Sequence, residues 1–338
     1  MATYKEIKGR KVQTFSSDPP APTEGQVWYN STSALFKVAG TGLSPLGSWS
    51  ATGAMGTARY GGQSVGSQTA ALSMGGGIAP GASTGITEKY NGATWSAVNS
   101  LVGPRTYNFT AAGTSTSALA AGGNSNPPDN NLTTTETWNN TCWSTSPATI
   151  SPARSGTAGA GTKTSALSWC GYSTTRLTVT QIWNDTSWST SPATISPARS
   201  GSQGTGTKTA ALSIGGKTAP GTAGFTNTCL LWNDTSWAAT GSMSAPRNEI
   251  AGAGTSTLAL AIGGFSHPAA TAACERFTGS SWAADTALET VTKGGMGCGT
   301  LTTAGGIVFS GGQTPAPATV NTAFQWNVGL AVTTITQS

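Results

Sequence analysis

The sequence is short of charge: Asp, Glu, Lys and Arg make up only 9% of its 338 residues, far below the usual share of about 25%. It has one histidine, His267, followed directly by Pro268. No second histidine or cysteine sits nearby to complete a transition-metal site, so none is expected there. The five cysteines (Cys142, Cys170, Cys229, Cys274 and Cys298) are odd in number and form no CxxC pair. This excludes a disulfide framework and points to buried thiols in a reducing compartment. No apolar run approaches the ~20 residues of a membrane-spanning helix. The opening Met1-Ala2-Thr3-Tyr4-Lys5 lacks the apolar core of a signal peptide. A soluble protein made in a cytoplasm is therefore expected. The net charge of +5 is spread along the chain and implies no nucleic-acid partner.

What the chain has is glycine, threonine, serine, alanine and a grid of tryptophans. A Gly-Gly step, or its equivalent, ends at Gly76, Gly123, Gly171, Gly216, Gly264 and Gly312, at intervals of 45 to 48 residues. A closing tryptophan recurs at Trp49, Trp95, Trp143, Trp188, Trp237 and Trp282. The 14 residues from Trp143 to Gly156 are repeated unchanged from Trp188 to Gly201, which marks duplication. Aromatic anchors at fixed spacing exclude disorder. Short alternating segments between Gly-rich or Asn/Asp turns read as antiparallel strands. Each unit supplies four, here A to D: A follows a basic residue, B ends at Gly-Gly, C ends at Tyr90, Trp138, Trp183, Trp232, Phe277 or Trp326, and D begins at the closing tryptophan.

Arg, about seventeen residues to Gly-Gly, an aromatic in C and a Trp in D: this grammar closely resembles the kelch repeat over residues 48 to 327. The resemblance implies an all-β fold, a six-bladed kelch-like β-propeller with one four-stranded blade per unit. The third unit departs from the pattern with Trp169-Cys170-Gly171, and the sixth replaces Arg by Lys293. The units run out of phase with the chain. The last supplies A, B and C, while Trp49 offers a D strand from the other end, its spacing to Arg59 matching that of complete units. Closure of the ring by this N-terminal strand is expected, with Leu330–Thr336 as a C-terminal edge strand. The competing arrangement makes Leu330–Thr336 the closing strand itself.

Residues 1–45 stand outside the repeat, and residues 46–338 form the propeller. Lys5–Lys11 is basic and Ser16–Glu24 is Pro-rich, so an extended arm is expected. Gln26–Asn30 and Leu35–Val38 flank Ser31–Ala34 as a β-hairpin. A lone hairpin is marginal in water, so this one is expected to pack as a lid or to dock elsewhere.

An enzyme finds little support. Glu88, Glu136 and Glu275 recur at one repeat position, which points to structure rather than to an acid/base pair, and no cofactor is implied. The basic position is the candidate site: Arg59, Arg105, Arg154, Arg199, Arg247 and Lys293 start strand A in all six units. In a propeller strand A is innermost, so six cations would surround the central channel. The first reading is structural, with bonds to carbonyls or pairs with Glu88, Glu136 and Glu275. The second is anion binding, chiefly at Arg154, Arg199 and Lys293, whose units carry Gln181, Leu230 and Phe324 where the others have Glu. Connections D–A and B–C share one face of such a fold. The B–C loops vary most, so partner binding is expected there.

Glu24-Gly25-Gln26-Val27-Trp28-Tyr29-Asn30 followed by Leu35-Phe36-Lys37 resembles a segment of structural proteins of tailed phages. With Gly/Ser/Thr-rich kelch-like blades, the chain is similar to virion structural proteins of marine phages. The resemblance implies a non-enzymatic virion protein present in many copies, a tail fibre or surface appendage used in host attachment. It would contact other virion proteins through its N-terminal arm and host surface polysaccharide, as a polyanion on the basic ring, through its propeller. The alternative is a kelch-type protein-interaction scaffold in a cell cytoplasm.

Overall fold

The structure is a computed structural model that describes residues 12–19, 25–43, 47–78, 81–221, 224–302, 305–314, 318–327 and 330–334. The expected basic stretch Lys5–Lys11 and residues 20–24 of the Pro-rich stretch lie outside these. Among the described residues the fold is all-β, without a helix, and propeller-like. The repeats form six four-stranded antiparallel sheets. The second is typical: Thr110–Gly113, Ala118–Ala121, Thr135–Trp138 and Trp143–Ser146 pair in chain order, as A to D.

Side-chain size sets the order from inside to outside. In the third sheet strand A is Ala158–Gly161, alternating Ala and Gly; strand B, Ala166–Trp169, is buried throughout; strand D, Trp188–Thr190, is mostly exposed. Small residues let adjacent A strands approach closely. A Cβ built on Gly204 would stand 2.5 Å from the Gly159 carbonyl oxygen of the preceding unit, so only glycine fits there. Residues of all six A strands line one channel-like cavity of about 180 Å³.

Aromatic pairs brace the outer half of each sheet. Trp138 and Trp143 are in register with ring centroids 5.5 Å apart, and Trp183–Trp188 and Trp232–Trp237 repeat this at 5.3 and 5.4 Å. Such pairs add about 0.5–1.5 kcal/mol beyond burial. The D-strand indoles also reach the preceding sheet: Nε1 of Trp143, Trp188 and Trp237 donates to Thr87, Thr135 and Thr180 Oγ1 at 3.1, 2.9 and 2.9 Å. Apolar clusters likewise span neighbouring sheets. One joins Val65, Leu72 and Met74 of the first to Phe109 and Trp138 of the second. Another joins Ala71 and Tyr90 of the first to Cys298 and Val308 of the sixth.

The sixth sheet takes strands from both ends of the repeat region. Met296–Thr302, Gly305–Ser310 and Ala323–Asn327 are its A, B and C strands, and Ser48–Thr52 pairs as D, with Trp326 opposite Trp49 and Asn327 opposite Ser48. Trp49 Nε1 donates to the Thr286 carbonyl at 2.9 Å, and its ring meets Phe309 edge-on.

The C-terminal strand differs from the expectation of a propeller edge. Leu330–Thr334 pairs with Leu35–Leu43, which pairs with Val27–Asn30, beside which Gln13–Phe15 runs parallel. The hairpin thus gains strands on both sides. Its strand Leu35–Leu43 offers an edge of nine residues, whereas Ser48–Thr52 at the rim of the sixth sheet offers only five. Asp18 Oδ1 accepts bonds from Trp28 Nε1 at 3.0 Å and Asn30 Nδ2 at 2.8 Å, fastening the arm to the hairpin. Chain direction fixes where this extra sheet attaches. Ser48 and Asn327 lie at the same end of the sixth sheet, the end of the A–B and C–D turns. From there only residues 44–47 and 328–329 lead to the extra sheet.

Candidate functional site

Five of the six basic residues do not line a channel. Arg59, Arg105, Arg154, Arg199 and Arg247 are 0–1% exposed, and all but Arg154 turn under the Gly-Gly step of their own unit to reach its first carbonyl. Arg59 donates to the Gly75 and Ser73 carbonyls, both at 3.2 Å, and pairs with Glu88 at 2.9 Å. Arg105 and Arg247 pair with Glu136 and Glu275. Arg199, with no carboxylate, bonds the Gly215 and Thr228 carbonyls at 3.4 and 3.2 Å, and Arg154 bonds the Ser151 carbonyl and Ser168 Oγ. Burial lowers Arg59 to about 10 despite Glu88, and lowers Arg154 to about 10 as well. Both remain cations at neutral pH. Five of the six expected cations are thus closed off from solvent and present no exposed ring of charge to the channel. Lys293 does not share their position: the carbonyl of the buried Thr292 accepts the Gly264 N–H as the arginine carbonyls do in the other units. Lys293, one place later, stays half-exposed, 3.5 Å from the Glu249 carboxylate and 5.1 Å from the Phe265 ring.

The carboxylates have a second task. Glu136 accepts the N–H groups of Val102 and Gly103 at 2.7 and 3.1 Å, Glu88 that of Gly56 at 2.7 Å, and Glu275 that of Ser244 at 2.8 Å. Each ties its D–A connection down to strand C. Gln181 does the same for Ser151 at 3.3 Å.

The residues just after the basic position open onto the D–A and B–C face. They surround a cavity of about 360 Å³ at the mouth of the channel. Backbone bonds link consecutive units around it: Gly61 N–H to Gly294 O at 2.7 Å, Gly156 to Tyr107 at 2.6 Å, Gly201 to Gly156 at 2.8 Å and Gly294 to Glu249 at 2.8 Å. This belt requires a left-handed backbone two residues after each arginine, which in the sixth unit is the residue directly after Lys293. Gly61, Gly156, Gly201 and Gly294 supply it with φ of 63°, 62°, 66° and 63°. The second and fifth units put Tyr107 (φ 56°) and Glu249 (φ 52°) there instead, at a cost of about 1–2 kcal/mol each. Non-glycine residues in this region cluster at functional sites.

Both side chains face the mouth. Tyr107 is 46% exposed, and Tyr172, from a B–C loop, is 41% exposed. The Tyr60 hydroxyl is held above its ordinary pKa by burial first, then by Tyr107 and Glu249. The mouth thus combines phenol rings with one carboxylate–ammonium pair. Among the described residues no group of three or more His, Cys, Asp or Glu could hold a metal. His267 is exposed at the tip of a B–C hairpin beside Phe265. The buried thiols are pushed up by burial, Cys229 to about 11 and Cys274 and Cys298 to about 12, so they are poor nucleophiles.

The solved structure of YjhT shares this fold. It superposes with a TM-score of 0.67, covering 83% of this chain and 99% of its own at 13% identity, and it is one of 235 matching solved chains. At that identity the likeness concerns the fold alone. No family model matches the chain, and no curated protein matches it by sequence.

Sequence reasoning followed the basic residue and missed the position two beyond each arginine, which is Gly294 in the sixth unit. The signal was present: four glycines, one tyrosine and one glutamate in a single repeat column.

Proposed function

We propose that the chain is a six-bladed kelch-like propeller closed by Ser48–Thr52, and that it serves as a non-enzymatic structural protein of a tailed-phage virion contributing to host attachment. The observation that carries this reading is polarity. Both ends of the propeller leave it on the face opposite the mouth and join in one sheet, so that sheet can be held by a particle while the mouth points outward. The hairpin Val27–Asn30/Leu35–Leu43, which bears the phage-like residues, leaves Leu35 and Phe36 40% and 48% exposed. Apolar side chains there offer a contact to other virion proteins. The mouth and the B–C loops would meet host surface glycan, and many copies per particle would turn weak single contacts into firm adsorption.

Mass spectrometry of purified particles, followed by a density map of them, tests the reading. The chain should be present, with its N-terminal sheet against the particle and its mouth free. Presence with the mouth buried contradicts the polarity. Absence from particles, with recovery in complexes of cytoplasmic proteins, favours an interaction scaffold instead.

A further inference from the structure

We infer that the mouth on the D–A and B–C face is a binding site for a neutral saccharide unit, held between the Tyr107 ring and the Glu249–Lys293 pair. The inference rests on the attachment reading and names the chemistry of its ligand.

Three observations converge. The belt around the mouth is built for glycine, yet it carries side chains at two of its positions, Tyr107 and Glu249. In a six-bladed ring the second and fifth blades stand opposite each other, so the two side chains face across the opening. The second observation is exposed aromatic surface. Tyr107 and Tyr172 present phenol rings at a channel mouth, where a flat apolar face with a polar edge suits the C–H face and hydroxyl rim of a pyranose. The third is charge. Glu249 and Lys293 lie 3.5 Å apart with side chains 38% and 26% exposed. They cancel each other's field while each can still form charge-assisted bonds with hydroxyl groups.

The same pairing argues against a polyanion. Within the cavity lining the one cation, Lys293, is matched by Glu249, so the lining carries no net charge. The nearest further cations, Arg176 over the Tyr172 ring and Lys217 over the Phe225 ring, stand outside it. A cavity of about 360 Å³ lies at the small end of the ligand-pocket range of about 300–1,000 Å³, which suits one or two sugar rings.

The test is saturation-transfer NMR on the full chain with glucose, N-acetylglucosamine and oligoglucuronate as probes, with melting temperature measured in parallel. Transfer is expected from at least one neutral sugar and should persist at high salt. Tyr107→Gly and Glu249→Gly restore the residue that four units already carry. Each should weaken binding at least tenfold with the melting temperature unchanged or raised. Lys208→Ala, in an A–B turn on the opposite face, should bind as the parent does. No transfer from either neutral sugar overturns the inference. So does transfer from oligoglucuronate alone, abolished by salt, or full binding by both glycine variants. Presence in particles without saccharide binding would remove this inference and leave the attachment reading standing; saccharide binding without particles would do the reverse.

Discussion

Arg105 and Arg199 occupy the same position in the second and fourth units and are equally buried, yet they are satisfied differently. Arg105 has Glu136 within its own sheet, whereas Arg199 relies on carbonyls and Thr228 Oγ1 at 3.2 Å. Losing one half of a buried ion pair is expensive because the other half keeps its charge. Glu136→Ala also frees the N–H groups of Val102 and Gly103. We expect it to cost about 3–5 kcal/mol, read as a lower denaturant midpoint. Replacing the pair together, Arg105→Met with Glu136→Leu, should cost less than Glu136→Ala alone. A double variant less stable than the single one would show that the charges themselves are favourable here. The thiols give a second expectation. Cys229, Cys274 and Cys298 titrate near 11 or 12 when folded, against an ordinary value near 9. Above pH 9 the unfolded chain loses these protons first, so stability is complete below that pH and falls as pH rises toward 12. Replacing all three by Ala should flatten the decline between pH 9 and 11 in melting curves. In the native state only Cys142, the exposed cysteine, should take up iodoacetamide at neutral pH.

At the scale of elements, the strand Ser48–Thr52 covers part of the sixth sheet's core. It covers Trp326, which is fully buried, and brings the Trp49 ring against Phe309. Deleting residues 1–57 should strip this edge and destabilise the sheet by several kcal/mol, a drop on the order of 10 °C in Tm. Deleting only residues 1–46 spares the strand and should cost far less. Equal losses in the two truncations would place the stabilising contacts in the N-terminal sheet. The strands themselves were legible in the sequence, because the step ending in Gly, the aromatic in C and the Trp in D are each demanded by local geometry repeated six times. The pairing of Leu330–Thr334 was not. Alternation shows that a segment is a strand, but its partner depends on which edge is vacant, and that is a property of the assembled sheet. Arg burial was half-legible for a similar reason. The repeat column reveals a shared role, while the direction of the side chain follows from where the Gly-Gly carbonyls gather.

For the whole molecule, the division into two faces follows from strand direction and could be read in advance; the character of the mouth could not. Tyr60, Tyr107, Tyr172, Glu249 and Lys293 are scattered over more than two hundred positions and meet because the units are arranged around one axis. The sheet that gathers both chain ends also has a mechanical meaning. If tension were applied through residue 43 alone, Ser48–Thr52 would be dragged lengthwise past Ala323–Asn327, and their hydrogen bonds would be sheared. Because Leu330–Thr334 is bonded alongside Leu35–Leu43, a pull on that sheet reaches Ser48 and Asn327 together and in the same direction. The two strands then move as a unit, and the force passes into the body of the molecule instead of across the seam between its first and last strands.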